Sequence, residues 1–458
     1  MLWNWLREQL EPHSSQVVEE GEKCITYEQL VCEAEQWDLA SAPSKIGICC
    51  RSEWNAARAF FFCWAAGKTA VPLPVRYGEI HYRRIIEAVG LTCLLTDEGG
   101  ELHLRRIAEE EPEEEILCDV AVILCTSGTT GVPKGVMLTD QALISNLKSI
   151  RKYFPLDSSD CFFIARPLYH CAVLVGEFLS ALIRGAEVRF YPYSFNPPAM
   201  LAEMKRDRSS VFCGTPTLFY HLSRFAERRK EPVSLRMAAV SGECLTPELA
   251  RILQAAFPET SFYHVYGLTE AGPRACWLPP DEFLSKAPSV GYPLNGVDAM
   301  VVDKSGRVLL WGEEGELLLR TPSVMKGYYR RPEMTAHALA GGWLHTGDMA
   351  RRDARGRITI LSRMDDMIIR GGINIYPQEI EAALQRIPGV QEAMAYGERD
   401  SISGQKIRVK VVAPGMESSS LLRACQDRLP PHQWPDSIEL TSHLPRNGSG
   451  KLIRKGVS

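Results

Sequence analysis

The sequence has 458 residues, of which 45% are hydrophobic and 24% are charged, enough for two or more domains with substantial apolar cores. Its 52 Lys and Arg residues against 56 Asp and Glu residues give a formal net charge of −4, so electrostatics offer no reason to expect nucleic acid as a partner. The 14 cysteines stand singly or as the pair Cys49-Cys50, which favours reduced thiols in a cytoplasmic protein over zinc or disulfides. Apolar runs stay short of about 18 residues, so we expect neither a membrane span nor a signal peptide.

The first part of the chain alternates strands with helices. Segments 45–71 and 91–96 combine apolar runs with helix-like stretches, as in an α/β layer fold. The run 120–124 predicts a buried strand, and apolar residues at helical spacing over 139–154 predict a helix. A second α/β layer is predicted from apolar strands separated by helical patterns, at 161–165, 187–191, 210–213, 237–240 and 262–265.

The pattern changes after residue 288. Short runs divided by glycine and charged turns predict a β-rich subdomain over residues 288–361, with strands at 299–303, 308–311, 316–320 and 358–361. A compact α+β domain follows, with elements at 377–387, 390–397, 406–412, 419–429 and 437–440. The predicted fold class is therefore α/β. A large N-terminal domain, residues 1–362, holds two α/β layers and the β-rich subdomain, and a small mobile α+β domain covers residues 363–458.

The segment between the strand at 120–124 and the helix at 139–154 reads Thr126-Ser127-Gly128-Thr129-Thr130-Gly131-Val132-Pro133-Lys134-Gly135. Glycines let backbone N–H groups approach a phosphate closely, and serine and threonine hydroxyls add donors. Pro133 stands where a Walker A motif requires the glycine before lysine, so the loop is not of that kind. Phosphate binding by another nucleotide-using enzyme is the first hypothesis, and a plain surface turn is the alternative.

Two further blocks add nucleotide chemistry. In the block 264–270, at a strand end, the Tyr266 ring offers a flat face for adenine. Thr269 can donate to a phosphate, and Glu270 is a hard oxygen ligand for Mg²⁺. In the block 342–348, an aspartate held in a glycine turn can accept hydrogen bonds from both ribose hydroxyls. A solvated glutamate after a strand and ordinary turn chemistry are the structural alternatives.

Two blocks point to a mobile C-terminal domain. Residues 362–377 lie where β-rich sequence gives way to the last domain, and they contain the pair Gly371-Gly372. This arrangement suits a hinge followed by a glycine loop, or only a polar linker. Residues 444–454 contain Lys451, which taken alone is more simply a solvated charge in a frayed tail.

Together and in this order, the blocks resemble the adenylate-forming superfamily of acyl-CoA synthetases, adenylation domains and luciferases. The resemblance extends from about Thr126 to Arg454. It implies an AMP-forming acid–thiol ligase, which converts a carboxylic acid to an acyl-adenylate with release of pyrophosphate and then transfers the acyl group to a thiol. It also implies ATP and Mg²⁺ as cofactors and a small-molecule carboxylic acid as substrate.

The thiol acceptor is CoA in the leading interpretation. The alternative is the phosphopantetheine of an acyl or aryl carrier protein in a siderophore, peptide or polyketide pathway. A luciferase-like activity, or a nucleotide-binding regulator that no longer catalyses, are further alternatives within this fold.

The resemblance assigns roles residue by residue. The phosphate loop is formed by Thr126, Ser127, Gly128, Thr129, Thr130 and Lys134. The nucleotide is further contacted by Gly242, Glu243 and Cys244 on the far side of the adenine, by the stacking Tyr266, by the ribose-binding Asp348 and by Arg363 near the ribose. The catalytic candidates are Thr269 and Glu270 at the α-phosphate and Mg²⁺, Lys451 as the residue that promotes adenylation, and His170. Asp365 is the hinge, and Gly371 and Gly372 line the thiol channel after the small domain rotates.

The acyl pocket is the least determined part of the predicted site. His170 ends a motif, 167–170, whose final residue borders this pocket, although a core role is a serious alternative. Another wall is expected from Phe212, Cys213, Gly214 and Thr215, and the floor from Gly267 and Leu268. The aspartate with which amino-acid-activating domains hold an α-amine is absent from residues 194–197, so a fatty or aromatic acid fits the mostly apolar pocket best.

Three positions depart from the family pattern without removing a catalytic group. They are Asp140, where a histidine commonly follows the phosphate loop, Ser362 in place of a glycine, and Arg370, where a small residue or lysine is common. Arg370 could contact the phosphates of CoA, and a solvated arginine is the simpler alternative.

Overall fold

A computed structural model describes residues 1–109, 115–127, 133–192, 195–226, 233–370, 373–400, 404–446 and 452–454. It confirms the α/β class, with two large mixed sheets followed by a four-stranded antiparallel sheet and a small C-terminal α+β unit. The strand Ile358–Arg363 ends where the two domains were predicted to meet. That boundary stays a prediction.

The first large sheet has seven strands. In order across the sheet they are Gly327–Tyr328, Pro133–Thr139, Val120–Ser127, Thr69–Pro72, Lys45–Cys49, Cys93–Glu98 and Glu101–Arg106. Its central strands run parallel, and its outer pairs run antiparallel. Central parallel strands are covered on both faces, which is why Ala121 to Leu124 form an unbroken buried apolar run.

The predicted phosphate loop connects two antiparallel strands, Val120–Ser127 and Pro133–Thr139, rather than a strand and a helix. The expectation of a strand–loop–helix unit was therefore wrong, because a second strand lies between the loop and the helix. Within Pro133–Thr139, Val136 to Leu138 are buried because this strand is covered on both faces and lies between two neighbours in the sheet. The helix Asp140–Tyr153 begins only after it, with the Thr139 hydroxyl accepting from Ala142 N at 3.1 Å as the N-cap.

The second large sheet has nine strands. In order they are Tyr292–Pro293, Cys276–Leu278, Ser261–Tyr266, Met237–Val240, Val211–Gly214, Cys161–Ile164, Glu187–Phe190, Val17–Glu20 and Lys23–Thr26. The six strands from Ser261–Tyr266 to Val17–Glu20 are parallel neighbours. The predicted second α/β layer is confirmed, since the five predicted strands agree with the structure to within one residue at each end.

Helices pack against the two large sheets and against the sheet of the C-terminal unit. The longer ones are Leu2–Leu10, Tyr27–Gln36, Glu53–Ala65, Glu79–Val89, Asp140–Tyr153, Pro197–Arg206, Pro216–Ala226, Pro247–Ala256, Pro377–Gln385 and Ser418–Gln426. Shorter ones are Phe283–Lys286, Pro332–Ala338 and the segment Cys171–Val173, Leu174–Leu179 and Ser180–Leu182, whose middle part is a π-helix. Within the described ranges, none of these helices combines the length and apolar character needed to cross a bilayer.

The helix Glu53–Ala65 lies between the two large sheets and contacts strands of both. It is apolar on nearly all sides, and Phe60, Phe61 and Phe62 are fully buried. Truncating one such phenylalanine to alanine typically costs about 3–5 kcal/mol. This helix therefore joins the two sheets into one core.

The β-rich part is a four-stranded antiparallel sheet of Asp298–Val302, Glu314–Arg320, Leu344–Arg352 and Ile358–Arg363. Two expectations are corrected here. Residues 308–311 form no strand, because Leu310 and Trp311 are 74% and 66% exposed and only isolated pairing joins Val308 to Val302. Asp348 lies within the strand Leu344–Arg352, and the neighbouring Gly347, with φ +66°, supplies a local irregularity rather than a turn.

The C-terminal unit confirms the predicted order of helix, two strands, helix and strand. Its three-stranded sheet is formed by Glu392–Asp400, Gly404–Val412 and Ser437–Leu440, and a short hairpin of Ile368–Arg370 and Ile373–Ile375 precedes it. Helices Pro377–Gln385 and Ser418–Gln426 pack with these strands around a separate apolar core.

Candidate active site

A cleft of about 2750 Å³ lies between the second large sheet, the four-stranded sheet and the C-terminal unit. Several of its residues follow directly on the carboxyl ends of parallel strands, as ligand sites in open α/β sheets do. The cleft brings together most of the predicted site residues, namely Thr126, Lys134, His170, Gly242, Glu243, Cys244, Tyr266, Gly267, Leu268, Thr269, Glu270, Asp348, Arg363 and Asp365.

Several predicted residues lie outside the described ranges: Gly128, Thr129, Thr130, Gly371, Gly372 and Lys451. Ser127 ends a described strand, but its side chain is not described. The two residues that frame the segment 447–451, Arg446 and Leu452, both line the cleft and pair with each other through an isolated β-bridge.

Asp348 is the centre of a polar network at the edge of the cleft. It is 4% exposed, and its Oδ2 accepts a hydrogen bond from the Tyr266 hydroxyl at 2.5 Å. Its Oδ1 lies 3.1 Å from Nη1 of Arg363. Burial, and secondly the negative charge of Asp348, raise the pKa of Tyr266 well above its ordinary value, so the hydroxyl stays protonated and donates. Each carboxylate oxygen can accept more than one hydrogen bond, and this is the chemistry by which a carboxylate holds hydroxyl groups.

The strand that carries Asp348 is fixed by hydrogen bonds to its neighbour. The Thr346 hydroxyl donates to Leu317 O at 2.7 Å and accepts from Asp348 N at 3.1 Å. Glu316 accepts from Gly347 N at 3.1 Å. These contacts hold the carboxylate of Asp348 in place without a ligand.

Glu270 lies on a 3₁₀ turn, Thr269–Ala271, that follows the strand ending at Tyr266. Its Oε1 accepts from the Tyr328 hydroxyl at 2.9 Å. Burial, and secondly Glu270, raise the pKa of Tyr328 and keep that hydroxyl protonated. The Nζ of Lys134 lies 5.5 Å from the centroid of the Tyr328 ring, so the lysine of the phosphate loop and the predicted metal ligand meet around one tyrosine.

The donor set fits Mg²⁺ bound together with a nucleotide. Among the described residues, no group of three or more His, Cys, Asp or Glu side chains is arranged to hold a metal ion. Mg²⁺ is commonly held by one or two carboxylates together with substrate phosphates. Glu270 provides such a carboxylate beside the phosphate-loop lysine.

Glu243 contacts both parts of the protein. Its Oε2 accepts from Thr217 N at 3.1 Å and from the Thr217 hydroxyl at 2.7 Å, while its Oε1 lies 3.3 Å from Nη1 of Arg446 in the C-terminal unit. Arg446 also binds Glu392 at 2.9 Å. The neighbouring Gly242 has φ +90°, a conformation that favours glycine.

Sequence reasoning missed Thr217, Tyr328 and Arg446. Their contacts join residues 26, 58 and 203 positions apart, and no local pattern encodes them. An available signal for Tyr328 was an aromatic pair, Tyr328-Tyr329, directly after a glycine in polar sequence.

The acyl-pocket residues divide into two groups. His170, Gly267 and Leu268 line the cleft, and a Cβ added at Gly267 would lie 2.1 Å from Pro273 O, so only glycine fits there. Thr215, from the other predicted wall, also lines the cleft, whereas Phe212, Cys213 and Gly214 do not. Phe212 is 0% exposed and packs edge-on against Phe219, with ring centroids 5.1 Å apart. The expectation that Phe212 and Gly214 form a pocket wall is therefore not met in this structure.

Asp365 lies in the turn that links the four-stranded sheet to the C-terminal unit. Met364 N donates to Gly347 O at 2.8 Å, and Asp366 N donates to Arg363 O at 3.1 Å. Arg370, five residues on, is partly exposed, and its guanidinium donates to Trp434 O at 2.9 Å and lies 3.1 Å from Asp436. The hinge role of Asp365 stays a prediction.

Comparison with known proteins agrees with this geometry. Residues 105–329 match a family model described as AMP-binding enzyme, and residues 379–451 match its C-terminal domain model. The feruloyl-CoA synthase of an Amycolatopsis species is 34% identical over 422 residues, covering 87% of this chain and 84% of the relative.

Solved structures are similar over nearly the whole chain. O-succinylbenzoate coenzyme A synthetase from Bacillus subtilis in complex with AMP has a TM-score of 0.85 and 27% identity, covering 99% of this chain and 98% of that one. The same enzyme in complex with ATP and magnesium has a TM-score of 0.85 and 26% identity, covering 99% of both chains.

The fold and the cleft therefore define an adenylate-forming enzyme. The chain belongs to the AMP-binding enzyme family. It is an AMP-forming acid–thiol ligase, which uses ATP to convert a carboxylic acid to an acyl-adenylate and then transfers the acyl group to a thiol.

Proposed function

We propose that this protein activates a fatty or aromatic carboxylic acid with ATP and transfers it to CoA. The observation that carries this proposal is the convergence of Asp348, Glu270 and Lys134 on one cleft, each held by neighbouring side chains. The CoA ligases among the similar proteins support CoA as the acceptor rather than a carrier protein.

The nucleotide would bind across the edge of this cleft. Asp348 would accept hydrogen bonds from the ribose hydroxyls, and its hydrogen bond with Tyr266 fixes the tyrosine ring as a platform for adenine. Lys134 and the loop before it would contact the outgoing phosphates. Mg²⁺ held by Glu270, when bound, would neutralise phosphate charge.

The first reaction joins two anions, because the carboxylate of the acid must attack the α-phosphate. A lysine directed at this site would stabilise the negative charge that grows on phosphorus. We assign this role to Lys451. The support is that Arg446 and Leu452, on either side of the segment 447–451, line the same cleft.

The acyl-adenylate is a mixed anhydride that water destroys, so the cleft has to exclude solvent while it exists. The thiol must then reach the same carbon, which requires a different set of groups. Rotation of the C-terminal unit about Asp365 would supply both arrangements and bring Gly371 and Gly372 to the thiol channel.

A pyrophosphate-exchange screen over aliphatic, aryl and amino acids tests the adenylation step. We expect exchange with aliphatic or aryl acids. Glu270→Gln should reduce it at least about tenfold through weaker Mg²⁺ binding, whereas the exposed Glu8→Gln should leave it unchanged.

A thioester assay with CoA or a holo carrier protein then identifies the acceptor. Thioester formation on CoA supports the proposal. Exchange restricted to amino acids, or transfer only to the carrier protein, would contradict it.

A further inference from the structure

Arg274 is a buried arginine in the wall of the cleft. It is 2% exposed, yet it lines the cleft. Its guanidinium lies over Gly176, where an added Cβ would stand 2.8 Å from its Cζ. It donates to Pro273 O at 3.3 Å and interacts with the Tyr153 hydroxyl. Among the described residues, no carboxylate oxygen lies within 4.0 Å of its nitrogens.

Glu177, a carboxylate that interacts electrostatically with Arg274, is already paired with a second arginine. Glu177 is 0% exposed and pairs with Arg166, which also lines the cleft. Within this pair, Nε of Arg166 and Oε2 of Glu177 are buried without a hydrogen-bond partner. Two arginines therefore face one carboxylate. Burial raises the pKa of Glu177, although both arginines oppose this shift, so the cluster carries at least one positive charge in excess.

The backbone of this region is adapted to the cluster. Gly176 and Glu177 lie in the π-helical segment Leu174–Leu179, and both contact the arginines. π-helical turns are rare and are frequently found at functional sites. Buried arginines are uncommon unless they are paired, because desolvating an uncompensated charge is costly.

The cluster lies directly beside the residues assigned to the acid. Arg166 immediately precedes the motif 167–170, and Arg274 follows Pro273, whose carbonyl abuts Gly267. The reacting carboxylate has to lie near Glu270, where the α-phosphate binds. The remainder of the acid must then contact other parts of the cleft wall, to which Arg166 and Arg274 belong.

We infer that the acid substrate carries a second anionic group, a carboxylate or sulfonate, at the end distal to the reacting carboxylate, and that Arg274 binds it. A guanidinium can hold such a group through two parallel hydrogen bonds. The inference rests on the proposed function, because it names the class of acid for the same site. If the inference holds, the apolar pocket residues contact only the middle of the acid, between its two anionic ends.

Matched pairs of acids test this inference. Adipate is compared with its monoamide, and 3-(4-carboxyphenyl)propanoate with 3-(4-carbamoylphenyl)propanoate, so that each pair differs only in the distal charge. The measurement is kcat/KM from pyrophosphate release in the presence of ATP, Mg²⁺ and CoA. We expect the diacid to exceed its amide about tenfold or more in at least one pair.

Two variants probe the arginine itself. Arg274→Met should lower kcat/KM for the diacid about tenfold or more and leave the amide within about threefold. Gly176→Ala should also lower kcat/KM for the diacid more than for the amide, because the new methyl group displaces the Arg274 guanidinium. Arg355→Met removes an exposed arginine outside the cleft and should leave kcat/KM for both substrates unchanged.

Equal kcat/KM for diacid and amide in both pairs, or an equal loss for both substrates in Arg274→Met and Gly176→Ala, would overturn the inference. If the amides are nevertheless converted to CoA thioesters, the proposed function stands while the inference falls. Absence of pyrophosphate exchange with every acid overturns both.

Discussion

Replacing Asp348 with asparagine tests the nucleotide site most directly. The substitution keeps the shape of the side chain, but it removes the charge that Tyr266 and Arg363 contact at 2.5 and 3.1 Å. The substitution also replaces one of the two acceptor oxygens with an NH2 group, which cannot accept a hydrogen bond from a ribose hydroxyl. Hydrogen bonds to charged groups contribute about 1.5–3 kcal/mol each. We therefore expect a loss of about 3 kcal/mol in binding ATP, on the order of 10²-fold in kcat/KM for ATP.

The assay is pyrophosphate exchange with ATP varied at saturating acid. Asp298→Asn is the matched control, because Asp298 is an exposed aspartate that binds Arg320 outside the cleft. Thermal unfolding shows whether the Asp348 variant is folded, which matters because the residue is 4% exposed. A folded variant whose kcat/KM for ATP changes less than about threefold would refute the ribose assignment.

Three further outcomes are expected. Lys451→Ala should lower acyl-AMP formation by about 10²–10³ and largely spare thioester formation from supplied acyl-AMP, and equal loss in both half-reactions would contradict its role. Tyr328→Phe frees Glu270 from its 2.9 Å hydrogen bond, so Mg²⁺ titrations of activity should show an affinity about tenfold weaker, and an unchanged titration would count against the metal assignment. Burial lowers the pKa of His264 from 6.5 to about 4, so its neutral form stabilises the fold above pH 6.5 and this contribution is lost as the pH falls toward 4. The measurement is the free energy of urea unfolding at pH 7 and pH 4.5. Between these pH values, His264→Gln should therefore lose up to about 3 kcal/mol less than the wild type. The control variant, His432→Gln at an exposed position, should lose as much as the wild type.

Periodicity in the sequence located most of the framework. Strands such as Met237–Val240 and the helix Asp140–Tyr153 are long or apolar enough for their pattern to dominate, and the structure confirms them. The strand Pro133–Thr139 was missed because its first three residues, Pro133, Lys134 and Gly135, are typical of a loop. Tertiary pairing with Val120–Ser127 overrides that local preference.

The nucleotide side of the cleft was predictable because its motifs are contiguous. Tyr266 and Glu270 are four residues apart, so one segment places both. The acyl side depends on which face of a strand meets the cleft, and alternation along a strand does not say which face that is. Phe212 is fully buried in the apolar core and does not line the cleft. The arginine cluster was not foreseen, because Arg166, Glu177 and Arg274 come together only in the folded chain.

The pairing of Val120–Ser127 with Pro133–Thr139 limits where this enzyme tolerates insertions and deletions. Thr126 is paired with Lys134 and Ser127 with Pro133, so both ends of the intervening segment are anchored. Removing one residue within Pro133–Thr139 would exchange the two faces of part of the strand and so disturb the pairing that positions Lys134. Insertions and deletions are therefore expected to be least tolerated within these two paired strands.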